Sequence, residues 1–211
     1  QYSKTDYEQD IIRAIKKNIN GLNKISNERI FDEVKKILSL KNVYNLFKNN
    51  QSREIILNIF PDFKYYKRLY KINDLNYKLK DKYDNYLILA LLIVDQSNNY
   101  EYFCHKYKTS KDIEKKFKNI SKNFENLKSE KFFLKENIKK LIYFSSKNDV
   151  KDLLLFSLCV NDELEIFNVI KQLDYVNNCK IPKFPISGNY LKEHGYETGR
   201  ELGKKLRLLE E

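Results

Sequence analysis

The sequence near the C-terminus reads Ile181-Pro-Lys-Phe-Pro-Ile-Ser-Gly188-Asn-Tyr-Leu-Lys-Glu-His-Gly195-Tyr-Glu-Thr-Gly199-Arg-Glu-Leu-Gly203-Lys-Lys-Leu-Arg-Leu-Leu209. The chain of 211 residues has only five glycines and three prolines, and four of the glycines and two of the prolines lie in this stretch. Glycine permits positive φ and close backbone approach, so the cluster indicates a specially shaped backbone. Pro182 and Pro185 favour an extended entry, because the residue before a proline is driven out of the helical region.

Three of these glycines, Gly195, Gly199 and Gly203, recur every four residues, and the leucines that follow keep helical spacing. The pattern predicts a turn and then a short helix with one face of bare backbone. Each helical glycine costs about 1 kcal/mol relative to alanine, so we expect a neighbour to approach this face closely. Two alternatives are open for that neighbour: a tightly packed helix, or a phosphate group.

The charge balance is strongly positive, with 40 lysines and arginines against 29 acidic residues and a formal net charge of +11. Such a charge favours acidic partners, nucleic acid above all. The excess concentrates in residues 100–148, where 13 lysines face six acidic residues. An alternative is compositional bias: only six arginines are present, and Asn, Ile, Tyr and Phe are abundant, as in proteins from AT-rich genomes.

The remaining composition is that of a globular intracellular protein. Hydrophobic residues make up 42% and aromatic residues 14% of the chain, enough to bury a sizeable core. The cysteines are odd in number and lack metal-ligand spacing, which favours reduced thiols and a cytoplasmic location. The apolar run Leu87–Val94 is eight residues long, far short of the roughly 20 that cross a bilayer, so we expect no membrane partner.

Amphipathic periodicity along the chain predicts an all-α fold, an elongated multi-helix array that ends in a glycine-rich turn–helix tail. Ser26 is the predicted N-cap of a helix that runs to Leu38. The most apolar segment, Tyr86–Val94, is the predicted central core helix. Further helices are predicted over residues 5–20, with Gly21 ending that helix, and over Asn42–Asn50, Arg53–Phe60, Tyr65–Leu79, Tyr100–Tyr107, Ser110–Leu127, Glu130–Phe144, Val150–Val160 and Asp162–Tyr175.

Motifs of catalysis are missing: the chain has no phosphate-binding glycine loop, no zinc-ligand motif and no nucleophile elbow. We therefore predict no catalytic residue and no metal site in this chain. Aromatic residues alternate with lysine in Phe63–Arg68 and Tyr102–Lys108, where rings could stack on bases beside charge contacts. The alternative is that these rings are the core stripe of amphipathic helices.

The tail segment Phe184–Leu206 resembles the C-terminal motif of bacterial-type class II tRNA nucleotidyltransferases, the CCA-adding enzymes. The family pattern is roughly Pro-Ile-x-Gly-x-Asp-Leu, followed by Gly-x-x-x-Gly-x-x-x-Gly-x-x-Leu. All four glycines of the tail match this pattern. Tyr190 departs from it, because the family usually has aspartate there.

A second segment, Leu22-Asn-Lys-Ile-Ser-Asn-Glu-Arg-Ile-Phe-Asp-Glu-Val-Lys-Lys-Ile-Leu38, resembles the family's neck motif, Leu-x-x-x-Ser-x-Glu-Arg-Ile-x-x-Glu-Leu-x-Lys-x-Leu. In the family this helix helps to hold the geometry between head and neck, a role that the resemblance gives to Ser26, Arg29 and Glu33. Arg29 and Glu33 are also i,i+4 neighbours on a predicted helix. Poly(A) polymerases share the neck motif, whereas the glycine-rich tail favours CCA addition.

The resemblance divides the chain into a neck (residues 1–62), a helical body (63–180) and a tail (181–211). In the family, body and tail bind the upper half of tRNA through shape and phosphates. The implied RNA-binding residues are Lys106, Lys108, Lys111, Lys115 and Lys118 in the body, and Gly188, Gly199, Arg200, Gly203, Lys204 and Lys205 in the tail.

Family members carry their catalytic carboxylates in an N-terminal head, which uses Mg²⁺ with CTP and ATP. Those motifs are absent here, and the chain contains no methionine. We therefore expect a portion of a longer protein, inactive alone and without a cofactor of its own, that works with tRNA and a head in cis or in trans. The equivalent portion of a poly(A) polymerase and a basic helical scaffold that binds proteins are the open alternatives.

Overall fold

The computed structural model describes residues 9–40, 43–74, 79, 82–181 and 184–210, and over these residues it is all-α without a strand, as predicted. The chain separates into two compact units, one ending at Asn178 and one spanning Cys179–Glu211. The α-helices of the first unit are α1 (Gln9–Asn18), α2 (Asn27–Leu38), α3 (Tyr44–Lys48), α4 (Asn50–Ile59), α5 (Arg68–Asp74), α6 (Asn85–Ile93), α7 (Asn99–Tyr107), α8 (Lys111–Asn123), α9 (Lys135–Phe144), α10 (Lys147–Val160) and α11 (Ile166–Asn178).

Two buried helices form the centre of the first unit. Every residue of Leu87–Val94 is buried, which confirms α6 as a core helix, since a helix that is apolar all round must be enclosed. Helix α10 is equally enclosed over Leu153–Cys159 and contacts α5, α6, α8, α9 and α11. The sequence singled out only the first of the two, because the polar first turn of α10 lowers its apolar content.

Polar side chains set the starts of several helices. The side chain of Asn49 accepts hydrogen bonds from the backbone N–H groups of Gln51 and Ser52, both at 3.0 Å. Helix α4 therefore begins three residues earlier than predicted. Ser146 does the same for α10 by accepting from the N–H of Asp149 at 3.1 Å, so that this helix also begins three residues early.

Other predicted helices are shorter or divided. Gly21 does not end the first helix; it lies inside a 3₁₀ segment, Ile19–Lys24, that continues α1. The predicted helix Glu130–Phe144 is broken at Leu134, whose backbone is extended, and its first part is a 3₁₀ turn. Helix α11 begins four residues late, because Asn161 accepts from the N–H of Glu163 at 3.0 Å and holds a turn there. The helix predictions for residues 5–8, 42 and 75–78 lie outside the described residues.

The second unit contains helices α12 (Gly188–Glu193) and α13 (Arg200–Glu210), joined by a turn. The predicted turn followed by a short helix is therefore present. Ser187 caps α12 by accepting from the N–H of Tyr190 at 3.1 Å. The two helices contact each other, and a Cβ on Gly188 would lie 3.8 Å from side-chain atoms of Leu202 and Leu206. The predicted extended entry at Pro182 lies outside the described residues.

Candidate RNA-binding surface

Helix α2 carries the neck motif and is anchored by its apolar face. Ser26 caps it by accepting from the N–H of Arg29 at 3.4 Å, which confirms the predicted cap. Phe31 is buried, and its ring centroid lies 6.2 Å from that of Phe103 and 6.3 Å from that of Tyr107. These ring contacts fix α2 against α7, so the polar face of the motif points to solvent.

The i,i+4 pair expected on that polar face is absent from the described structure. Glu33 accepts from the ammonium of Lys36 at 2.6 Å instead, and Arg29 is exposed. The side chains of Glu33 and Lys36 are mostly in solvent, where such pairs contribute little to stability. Arg29 keeps its position at the start of α2, but Glu33 does not orient it.

Lys108, a candidate RNA ligand, is bound to the neck. It closes α7 in the left-handed region, with φ of 48°, and its ammonium donates to the carboxylate of Glu28 in the first turn of α2. This hydrogen bond lowers the pKa of Glu28 below its usual value. The charge of Lys108 is therefore partly compensated within the protein.

Lys106, the neighbouring candidate, is half-buried. Its ammonium lies 4.9 Å from the ring centroid of Tyr107 and 3.7 Å from a carboxylate oxygen of Asp62. Burial by itself would lower the pKa of Lys106, but Tyr107 and Asp62 outweigh that effect and raise it. The charge of Lys106 is therefore already partly compensated by these two neighbours, and its role in RNA binding stays a prediction.

Helix α8 presents the remaining body candidates as one row. Lys111, Lys115 and Lys118 are exposed and follow each other at helical spacing, so they lie on one side of the helix. Lys115 is 4.0 Å from Asp149, whereas Lys111 and Lys118 have no ion pair within the described residues. The structure adds Lys122, exposed and four residues further on, which sequence reasoning missed although the same periodicity reaches it. We call these four side chains the α8 row.

Lys116 lies on the same helix but faces inward. Its ammonium donates to Asp84 at 2.7 Å and lies 2.9 Å from Asp152, with only 16% of the lysine side chain exposed. Burial by itself lowers the pKa of Lys116, but the two carboxylates outweigh it and hold the pKa above the usual value. Asp84 also caps α6 by accepting from the N–H of Leu87 at 2.8 Å. Lys116 thus connects α8 to α6 and α10.

A cleft of about 560 Å³ opens beside Lys116 and is lined by four aspartates and four lysines. These opposite charges compensate one another, so the cleft attracts phosphate less than the α8 row does. Within the described part of the chain, no three His, Cys, Asp or Glu side chains come together as a possible metal site.

The rings that alternate with lysine are mostly core. Phe63, Phe103 and Tyr107 are buried and form part of a cluster in which the centroids of Phe103 and Tyr107 are 4.6 Å apart. The core-stripe alternative is confirmed for these three. Tyr102 differs, since it is 64% exposed. Arg68 is also interior: it donates to the carbonyl of Val94 at 2.7 Å, and burial lowers its pKa to about 10.

The tail glycines do not form one bare face. Gly195 lies in the turn with φ of 87°, and Gly199 precedes α13 with φ of 153°, so both have backbones that other residues rarely adopt. Gly203 lies within α13, and a Cβ placed on it would meet no atom within 4 Å among the described residues. The predicted turn and helix are present, but the prediction that Gly199 shares a bare helical face with Gly203 is wrong, because Gly199 lies in the turn before α13.

Helix α13 nevertheless gathers the predicted tail cations. Arg200, Lys204 and Lys205 are exposed, and Lys204 is 2.7 Å from Glu201. Arg200 and Lys204 are one helical turn apart beside Gly203. Arg207, which is exposed one turn further along, extends this line and was not among the predicted ligands. Arg200, Lys204 and Arg207 therefore form a line of three cations along α13 beside Gly203, and Lys205 lies outside that line.

Residues 6–67 match the model of the family described as "Probable RNA and SrmB- binding site of polymerase A". The matched segment includes the whole neck motif but not the glycine-rich tail. No curated protein matches the chain. The match supports a relationship of this segment to the poly(A) polymerase superfamily, and an RNA-binding region in a protein of that kind. No helix in the described residues is long and apolar enough to span a membrane.

Proposed function

We propose that the chain is the tRNA-binding portion of a CCA-adding tRNA nucleotidyltransferase. The observation that carries the proposal is the order of two motifs in one chain: a neck motif inside the matched residues 6–67 and the glycine-rich tail at 184–206. The neck alone is shared with poly(A) polymerases, and the tail motif favours CCA addition. The α8 row supports the proposal, because it offers four exposed lysines along one helix side.

In this proposal the chain positions RNA and performs no chemistry. Lysines of the α8 row and the cations of α13 bind phosphates of the acceptor and T arms, which fixes the register of the tRNA without reading its sequence. A head domain, in cis or in trans, holds Mg²⁺ with CTP and ATP and extends the 3′ end in the cytoplasm. No step of that reaction is assigned to residues of this chain.

The test is equilibrium binding of the chain to a tRNA without its CCA end and to a single-stranded RNA of equal length, each in a salt series. We expect preference for the folded tRNA and an affinity that falls steeply with salt, by about 0.7 to 0.9 in log–log slope per phosphate contact. Equal and weak binding to both RNAs, or binding that does not change with salt, would contradict the proposal and favour a protein-binding scaffold.

The second candidate is the equivalent RNA-binding portion of a poly(A) polymerase, which the description of the matched family favours. A poly(A) polymerase acts on a single-stranded 3′ end, so the same chain should then prefer single-stranded RNA to the tRNA. The binding comparison above therefore decides between the two candidates.

A further inference from the structure

A groove of about 350 Å³ lies in the first unit between the 3₁₀ turn Glu130–Phe133 and helix α11. Its floor is apolar, formed by the buried side chains of Phe133 and Leu164, and Leu134 stands at its edge with 58% of its surface exposed. The volume lies within the range of small-ligand sites in proteins. The groove thus offers an apolar surface large enough for one planar ring.

Two amides stand over this floor. Gln172 donates from Nε2 to the carbonyl of Phe133 at 3.2 Å, which fixes the orientation of the side chain. Its Oε1 is shielded from solvent and has no hydrogen-bond partner within the described residues. Asn168, one helical turn earlier, is exposed and also lines the groove. Because this oxygen is shielded, a molecule in the groove cannot contact it, and Asn168 supplies the accessible amide.

The charged residues that line the groove are both cations. Lys131 and Lys171 are exposed and have no carboxylate partner within the described part of the chain. The ammonium of Lys171 lies 4.5 Å from the ring centroid of Phe167, which is 62% exposed. An apolar floor, an exposed amide and two ammonium groups are complementary to a base and its phosphate. A purely apolar peptide would leave the amide of Asn168 and both cations unused.

We infer that this groove binds one unpaired nucleotide of RNA. The base lies on the apolar floor beside Leu134, its edge bonds to the exposed amide of Asn168, and its phosphate contacts Lys131 and Lys171. The inference rests on the proposed RNA-binding function and gives it a second kind of contact. The α8 row binds backbone phosphates of any sequence, whereas this groove takes a base that has left its helix.

The test uses the full chain and the four ribonucleoside 5′-monophosphates, followed by NMR of the backbone and side-chain amides. We expect shifts at Gln172, Asn168 and residues 131–134, and saturation in the millimolar range. Lys171→Gln should weaken this binding at least fivefold without affecting folding, because the lysine is exposed. Asn168→Leu should abolish the base-dependent part, because Asn168 supplies the exposed amide. Lys139→Gln is the matched control, since Lys139 is an exposed lysine of α9 outside the groove.

Three results would overturn the inference. Inorganic phosphate could produce the same shifts as the nucleotides, which would leave no role for a base. Lys171→Gln could bind like the wild type. An apolar probe such as N-acetyl-leucinamide could bind more tightly than any nucleotide, which would identify a peptide groove instead.

A parallel arm with tRNA separates this inference from the proposed function. If the chain binds tRNA with strong salt dependence while groove variants bind tRNA and nucleotides like the wild type, the inference fails and the function stands. If tRNA does not bind while monophosphates still occupy the groove, the function fails and a nucleotide site remains.

Discussion

The two sides of helix α8 use the same residue type in opposite ways. Lys116 faces Asp84 and Asp152 with 16% of its side chain exposed, whereas Lys118, two residues later, is exposed without an ion pair in the described structure. Two positions along a helix correspond to about 200° of rotation, which separates an interior from a solvent face. A lysine count therefore overstates the charge available to RNA, and position on the helix decides which cations stabilise the fold.

The variant Lys116→Met tests this comparison with the largest expected effect. It removes the ammonium group and leaves Asp152, which is 13% exposed, without its cation. Loss of one partner of a buried pair typically costs about 3 kcal/mol. We expect the free energy of unfolding to fall by about 2 to 4 kcal/mol, measured by urea denaturation at pH 7. Helices α6 and α10 should lose amide protection first, because Lys116 connects both to α8.

Lys118→Met is the matched control and should change the free energy of unfolding by no more than about 0.5 kcal/mol. The double variant with Asp152→Asn should recover part of the loss in Lys116→Met, since the uncompensated carboxylate is then removed. Equal losses in both single variants would show that the two lysines do not differ as proposed.

The converse experiment removes charge from the α8 row with Lys111→Gln, Lys118→Gln and Lys122→Gln together. Each lost phosphate contact should reduce the log–log salt slope of tRNA binding by about 0.7 to 0.9. Between 50 and 200 mM salt, the wild-type affinity should then fall about 20 to 40 times more than the affinity of the triple variant. Unfolding should change little, because these side chains are in solvent.

The control is the corresponding triple lysine-to-arginine variant, which keeps the charge at the same three positions. Its salt slope should equal that of the wild type. A glutamine variant with an unchanged slope would mean that RNA binds elsewhere in the chain.

Interactions between residues close in sequence made much of the fold predictable. Site residues whose partners lie far away in sequence could not be predicted in the same way. Ser26 could be placed as a helix cap because the cap and its partner are three residues apart. Lys108 could not be recognised as paired, because its partner Glu28 lies 80 residues away. The groove was missed for the same reason: Lys131 and Lys171 are close only after α11 has packed beside the 3₁₀ turn.

Gly199 and Gly203 provide a second comparison, in the tail, between two residues of the same type with different backbone conformations. Gly199→Ala should weaken the start of α13 by about 1 to 3 kcal/mol, because φ of 153° is strained for alanine. Gly203→Ala should stabilise the same helix by about 1 kcal/mol, since its Cβ would meet open space. Amide hydrogen exchange over Arg200–Glu210 in the full chain measures both. Equal effects would contradict the assignment of Gly199 to the turn.

Gly203→Ala also tests the bare face. If RNA backbone lies against Gly203, the variant should bind tRNA more weakly while its helix is more stable. If only the neighbouring cations matter, tRNA affinity should stay unchanged.

The smallest expected effect concerns Lys108, which lies between the two cases: it is exposed like Lys118 but paired like Lys116. Glu28→Gln removes its partner, so Lys108 becomes available and the salt slope of tRNA binding should steepen by at most about 0.7 to 0.9.

The pH dependence of stability gives an independent check of the same pair. The folded pKa of Glu28 is lowered by Lys108, so the pair stabilises the fold above the unfolded value of about 4.3 and loses that effect as the pH falls through the folded pKa. The wild type should exceed Glu28→Gln in urea midpoint at pH 6, and the difference should shrink as the pH is lowered below about 4.3. A difference that does not shrink would mean that Glu28 stabilises α2 by a contact other than its ion pair with Lys108.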